Sequence, residues 1–270
     1  MRLACEGSAL LTQHYVWRDR HQRAQQEQQQ PPPLQQPPPA PPPLPPPQQL
    51  LLRRAEAAYR QVLSVDSGAG AQMRGNLAVC LHSRGDRTGA EQQYRRALRL
   101  EPTHAQTSFN LGTLLEEGGS AAGAAAACDA YRAALASDPA HARAHFNLGN
   151  ILLGRGDVAG AERAFRAAAA ADPQCAQAHA NLGSLLLCHK SPPDVPGAEA
   201  ALRAAVAADP RDAGALLNLG AIAINARGDL RGGARLLAAA LKLQPGNAIA
   251  RQNLETVLRA LHRGSPAADG

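Results

Sequence analysis

An Asn-Leu pair returns six times in register along this chain, at Asn76-Leu77, Asn110-Leu111, Asn147-Leu148, Asn181-Leu182, Asn218-Leu219 and Asn253-Leu254. The intervals are 34, 37, 34, 37 and 35 residues. A second series, Pro102, Pro139, Pro173, Pro210 and Pro245, keeps step with the first. A fixed period of this length means one supersecondary unit repeated, with each copy burying its apolar face against its neighbours.

Within a unit, the helix, turn and helix signals are explicit. Ala142 to Leu153 has the apolar spacing of a helix, Gly154-Arg-Gly156-Asp157 stops it, and Val158 to Ala171 resumes before Asp172-Pro173. Glycine can adopt the left-handed conformation that closes a helix, the aspartate after it can cap the next, and proline cannot continue a preceding helix. The same order recurs at Gly85-Asp86 with Glu101-Pro102 and at Gly228-Asp229 with Gln244-Pro245. Two units carry three extra residues between their helices, one within Gly119 to Cys128 and one around Ser191 to Pro196, and longer turns are expected there. The stretch Leu50 to Asp66 aligns with the second helix of a unit, so the array begins with half a repeat unless residues 9–24 supply the missing partner. A last helix, about Ala248 to Leu261, is expected to cap the final groove.

The chain has 270 residues, 45% of them hydrophobic and only 3% aromatic, so its core is built from Ala and Leu rather than from rings. The formal charge of +6 comes from arginines scattered through the repeats, with lysine only at Lys190 and Lys242. No run of like charge or interleaving of cations with aromatics marks a nucleic-acid surface, so none is expected to bind. The five cysteines form no CxxC pair, and Cys188-His189, adjacent on a helix, point about 100° apart and do not make a nucleophile and base. No signal-like or membrane-length apolar stretch is present, and the expectation is an intracellular soluble protein, cytoplasmic or nuclear.

The arm before the array has its own character. Residues 1–30 contain one candidate short helix, Ala9 to Ala24, with the lone Trp17, and end in a glutamine run. Residues 31–47 are almost all proline and read as a polyproline II linker. Pro42-Pro43-Leu44-Pro45 has the form of a WW-domain ligand, and the flanking prolines suit SH3-like or profilin-like grooves. The array then covers 48–262 and a disordered tail 263–270.

The positions Asn147-Leu-Gly149, Leu152, Gly156, Ala161, Phe165, Ala168 and Pro173, with their equivalents in the other units, resemble the tetratricopeptide repeat family. The resemblance implies an all-α, right-handed α-solenoid of stacked antiparallel helix pairs whose first helices line a concave groove. On a helical wheel the residues aligned with His145, Leu148, Gly149 and Leu152 share a buried sector, and Asn147 falls about 150° from its centre. All six asparagines, Asn76, Asn110, Asn147, Asn181, Asn218 and Asn253, are therefore expected to face outward into that groove.

Asparagine costs about 0.6 kcal/mol relative to alanine in a helix, which leaves its recurrence unexplained by propensity. A side-chain amide offers a donor and an acceptor, the complement of a peptide bond, and a ladder of them can hold an extended backbone. The Asn-Leu-Gly pattern is most similar to the repeats of the O-linked N-acetylglucosamine transferase branch, where such a ladder is implied. Alternatively the amides are inherited or bond to neighbouring helices. Neighbours on the same face, Arg143 and Asn150 among them, make a polar and nearly uncharged surface. Co-chaperone repeats that grip a terminal carboxylate present clustered cations there, and Arg143 alone qualifies.

No phosphate loop, Ser/His/Asp arrangement or HExxH is present, and His141 with His145, four apart on one face, lack further metal ligands. The reading is a non-catalytic interaction scaffold that binds protein or extended peptide, with no cofactor and no metal. The alternative is the substrate-recognition portion of a glycosyltransferase, in which case nothing after Leu261 is expected to encode a sugar-nucleotide domain.

Overall fold

The computed structural model describes residues 46–65 and 70–263. The expected helix at 9–24, the Pro42–Pro45 motif, most of the polyproline linker and nearly all of the tail lie outside the described residues. Every described regular element is a helix. They form two compact units, residues 39–171 and residues from 172 onward.

The first unit contains α1 (Pro46–Val65), α2 (Ala71–Ser83), α3 (Arg87–Leu100), α4 (Ala105–Glu116), α5 (Ala121–Ser137), α6 (Ala142–Gly154) and α7 (Val158–Ala171). Helices α2/α3, α4/α5 and α6/α7 pack as hairpins, and α1 packs on α2. The second unit contains the hairpins α8 (Ala176–Cys188)/α9 (Val195–Ala208) and α10 (Ala213–Arg227)/α11 (Leu230–Leu243), closed by α12 (Ala248–Arg263) on α11. Helix α1 starts at Pro46, so the last two residues of the stretch read as polyproline form its first turn, where a missing N–H is harmless.

The core is serial. Leu77, Ala78, Leu81, Ala90, Tyr94, Leu111 and Leu114 join α2, α3 and α4, and Phe109, Ala127, Cys128, Tyr131, Ala134, Ala144, Leu148 and Ile151 join α4, α5 and α6. Each cluster thus contains one hairpin and the first helix of the next.

In four of the five described hairpins the distance between paired helices is set by a large side chain pressed on a glycine. A Cβ added to Gly112 would lie 2.7 Å from the Tyr131 ring, and one added to Gly149 would lie 2.7 Å from the Phe165 ring. In the second unit Leu202 and Leu237 take the ring's place over Gly183 and Gly220. Tyr94, Tyr131 and Phe165 are fully buried and belong to the core.

Polar groups end each helix. Gly85 and Gly156 turn the chain at φ 84° and 79°, a region closed to most side chains. Asp86, Asp157, Asp194 and Asp229 then accept from the backbone N–H of the glycine three residues on, at 2.7–3.0 Å. At the Asp-Pro ends, Asp138, Asp172 and Asp209 accept from the N–H two residues later.

The two longer units solve their insertions differently. The first does not lengthen a turn as expected. Helix α5 has 17 residues where α3 and α7 have 14, because its alanine-rich start favours another helical turn capped by Ser120. The second insertion does stay in the connection, and Asp194 N–H still reaches the Leu186 carbonyl at 3.0 Å, the bond that Asp157 makes to Leu152.

The arginines are not simply a solvated coat. Buried Glu199 accepts from Arg203 of its own helix at 2.8 Å and from Arg227, 28 residues on in the next hairpin, at 2.6 Å. Glu56 is clamped in the same way by Arg60 and Arg84. These pairs tie the second helix of one unit to the end of the first helix of the next. The 28-residue spacing was visible in the sequence, but it is a signal only once the repeat geometry is known.

Two tests follow from the packing. Gly149→Ala is expected to lower the thermal midpoint, since overpacking against a buried ring costs about 1–3 kcal/mol and outweighs the roughly 1 kcal/mol gained in helix propensity. Gly154→Ala, with open space around the new methyl, is expected to raise it slightly. Glu199→Ala should cost about 1–2 kcal/mol in urea unfolding, the arginines being half-exposed, whereas Glu91→Ala, which loses only a surface pair with Arg95, should cost under about 0.5.

Candidate functional site

In the first unit the first helices of successive repeats are joined along one face. His104 at the start of α4 bonds through Nε2 to Gln72 Oε1 of α2 at 2.9 Å, and His82 near the end of α2 bonds to Glu117 just after α4 at 2.8 Å. The Arg143 guanidinium of α6 lies over the Phe109 ring of α4, 5.1 Å from its centroid, and His141 packs on the same ring at 4.7 Å. In the second unit Asn218 of α10 donates from Nδ2 to Ser184 Oγ of α8 at 3.1 Å.

The six asparagines lie on these first helices and on α12, and all six are half-buried. The expected outward direction needs correction. In α6 the buried residues include Ala144 and Ile151 as well as Leu148 and Gly149, because the helix also packs on the preceding hairpin. Adding them moves the centre of the buried sector, so that Asn147 lies about 120° from it, at the rim of the face rather than in its open middle.

A rim position brings the amides within reach of the scaffold. Asn147 Nδ2 donates to the Tyr131 hydroxyl at 3.0 Å, and that hydroxyl donates to Glu116 Oε2 at 2.6 Å. Asn76 and Asn110 each accept at Oδ1 from the glutamine one turn before, Gln72 at 3.3 Å and Gln106 at 2.8 Å. Those two bonds use the carbonyl oxygen and leave the Nδ2 donors out. The bonding of amides to neighbouring helices, one of the readings left open from sequence, therefore holds for Asn147 and Asn218.

The remaining residues of the face lie mostly as the wheel places them. Gln72, Ser83, Gln106, Glu117, Arg143, Gly154 and Gln177 are exposed, and Thr113, Asn150 and Ser184 are half-buried. Ala221, three residues after Asn218 and so on the same side of its helix, is buried. Charge is sparse, with Glu117 held by Arg87 at 2.8 Å and by His82.

The histidines serve the helices. Nδ1 of His104 and of His141 accepts from the backbone N–H three residues on, at 3.2 Å in each case, and His145 and His179 reach back to the carbonyls of Pro139 and Pro173. Their role as N-caps was not legible in advance, since histidine is an uncommon cap. Among the described residues no group of three or more His, Cys, Asp or Glu is arranged to hold a metal ion. Burial pushes the thiols of Cys80 and Cys188 up, away from the reactive thiolate. No helix among the described residues is long and apolar enough to cross a membrane.

The sequence profile of the tetratricopeptide repeat matches residues 48–105, 83–132, 129–174, 150–193 and 194–248. The chain belongs to the tetratricopeptide repeat family. No curated protein matches it. Among solved structures it is similar to YrrB, described as a tetratricopeptide protein with an unusual peptide-binding site, at 19% identity and a TM-score of 0.61 over 73% of this chain and 98% of that one. It is similar also to MamA from Desulfovibrio magneticus RS-1, at 21% identity and a TM-score of 0.54 over 67% and 98% of the two chains. A third likeness is to the APC/C hetero-tetramer Cut9-Hcn1, at 17% identity and a TM-score of 0.53 over 77% of this chain and 39% of that one. These likenesses speak to the fold.

The buried tyrosines give the array a dependence on alkaline pH. Burial, with Glu117 and Cys80 nearby, pushes Tyr94 from 10.0 up to about 12, and burial with the Glu116 bond pushes Tyr131 in the same direction. In the unfolded chain these phenols ionise near 10, so the stabilisation is complete below that pH and is lost as the pH rises towards about 12. Urea midpoints measured from about pH 9 to about pH 11.5 should fall, and should fall less in Tyr94→Phe.

Proposed function

We propose that this tetratricopeptide repeat protein is a non-catalytic interaction scaffold whose first-helix faces hold extended peptide segments through their backbone. One observation carries the reading. A row of half-buried side-chain amides recurs once per repeat, among polar and nearly uncharged neighbours, on helices that are bonded side by side.

The chemistry suits a main chain more than a charged side chain. Asn76 and Asn110 keep amide donors outside their bonds to glutamine, and Gln72 and Gln106 stand exposed beside them. Arg143 on Phe109, with Asn150 on the same helix, adds one cation and another amide. A single guanidinium is less than the clustered cations that a terminal carboxylate needs. The peptide-binding site in the printed description of YrrB supports the reading by likeness of fold. No feature of the fold and none of the structures named above favours the alternative of a glycosyltransferase's recognition portion.

The half-buried rim gives the amides a defined orientation. A fully exposed asparagine loses rotamer freedom on binding, whereas one already held by Tyr131 or Gln106 has less to lose. Asn110, Asn147, Asn181 and Asn218 are the amides on which binding should depend most.

Peptides selected from a displayed random library against the whole chain provide the ligand for the test. By fluorescence polarisation, Asn110→Ala with Asn147→Ala, or Asn181→Ala with Asn218→Ala, should weaken binding by about tenfold or more, as expected for two lost hydrogen bonds at about 1 kcal/mol each. N-methylation of the peptide's amides should weaken it similarly, and single alanine replacements in the peptide should cost much less. Affinity unchanged in both double variants refutes the proposal.

A further inference from the structure

Among the described residues, helix α1 is a second helix without its first. Its Ala55, Tyr59 and Val62 occupy the positions of Ala90, Tyr94 and Ala97 in α3, of Ala127, Tyr131 and Ala134 in α5, of Ala161, Phe165 and Ala168 in α7, and of Ala198, Leu202 and Ala205 in α9. In those four helices all three positions are 0–1% exposed. In α1, Val62 is 44% exposed, and Ala55 and Tyr59 are only half-buried.

The difference has a definite location. The large side chain of the triplet presses on the small residue of its own hairpin's first helix, Tyr131 on Gly112 and Phe165 on Gly149, while the next repeat covers its other side. Tyr59 has that second contact, against the cluster of Leu77, Leu81 and Tyr94, and among the described residues it has no counterpart of the first. The uncovered strip is therefore the seat of one helix, and Leu51 and Val65 extend it as exposed apolar residues at either end.

We infer that residues 9–24 of the same chain occupy this seat as the missing first helix. The 45 residues before Pro46 contain one stretch with several large apolar side chains, Leu10, Leu11, Tyr15, Val16 and Trp17, whereas residues 25–45 are chiefly glutamine and proline. On a helix Leu10, Leu11, Tyr15 and Trp17 fall within a sector of about 160°, the width of a core-facing stripe. Sixteen residues match the length of the first helices, which run from 12 to 15. The cost of closing a loop grows only logarithmically with its length, so residues 25–45 can replace the short turns of the other hairpins. The proline-rich run is then the turn of the first hairpin, held at both ends.

Trp17 is the chain's single tryptophan and reports on the seat directly. In the full-length protein its emission should be blue-shifted and its quenching by iodide several-fold weaker than for free indole. Val62→Glu, at a half-exposed position that leaves the array's helicity intact by circular dichroism, should shift the emission to that of an exposed indole. Trp17→Asp should lower the thermal midpoint of the array. An emission already typical of exposed indole and unmoved by Val62→Glu overturns the inference. So does a buried signal that appears only as the chain dimerises over a roughly hundredfold range of concentration, since the occupant is then a second copy. None of these readouts involves a bound peptide.

Discussion

The contact on which this structure depends is a bulky side chain lying on a small residue across each hairpin, a glycine in four of the five described and Ala78 in the first. Tyr131 on Gly112 and Phe165 on Gly149 let two helices approach until the ring fills the space that a Cβ would have taken. Because the ring also reaches the next repeat, one side chain sets both the spacing within a hairpin and its contact with its neighbour. The core is therefore a chain of small, similar clusters, and stability accumulates from neighbour to neighbour rather than from one centre.

Regular spacing is what turns the first helices into a surface. Once each hairpin is fixed by its bulky side chain and, within a unit, tied to the next by pairs such as Glu199 with Arg227, residues one repeat apart in sequence come into contact. Gln72 meets His104, Phe109 meets Arg143, and Ser184 meets Asn218. The interaction surface proposed for this family member is a product of that periodicity, and the proposal rests on one amide per repeat instead of on a cluster of reactive groups.

Much of this was legible from residue order because helical repeats rest on local rules. The period, the turn glycines and the aspartate caps all act within one unit, and each appears where the pattern puts it. Interactions between units were harder to see. The Glu–Arg clamps join residues 28 apart, and histidine as an N-cap depends on a ring turned towards its own helix.

The asparagines show where the boundary falls. The sequence by itself determined that they recur once per repeat on first helices, because a 3.6-residue period fixes the angle between Asn147 and Leu148. Only the tertiary structure decided how far the amides stand from the core. Contacts of Ala144 and Ile151 with the preceding hairpin widen the buried face, and the rim position that results places Asn147 beside the Tyr131 hydroxyl. The first insertion divides likewise. Three extra residues could be counted in the sequence, but whether they form loop or helix rested on the energy of an alanine-rich turn against the packing around it, and α5 grew longer.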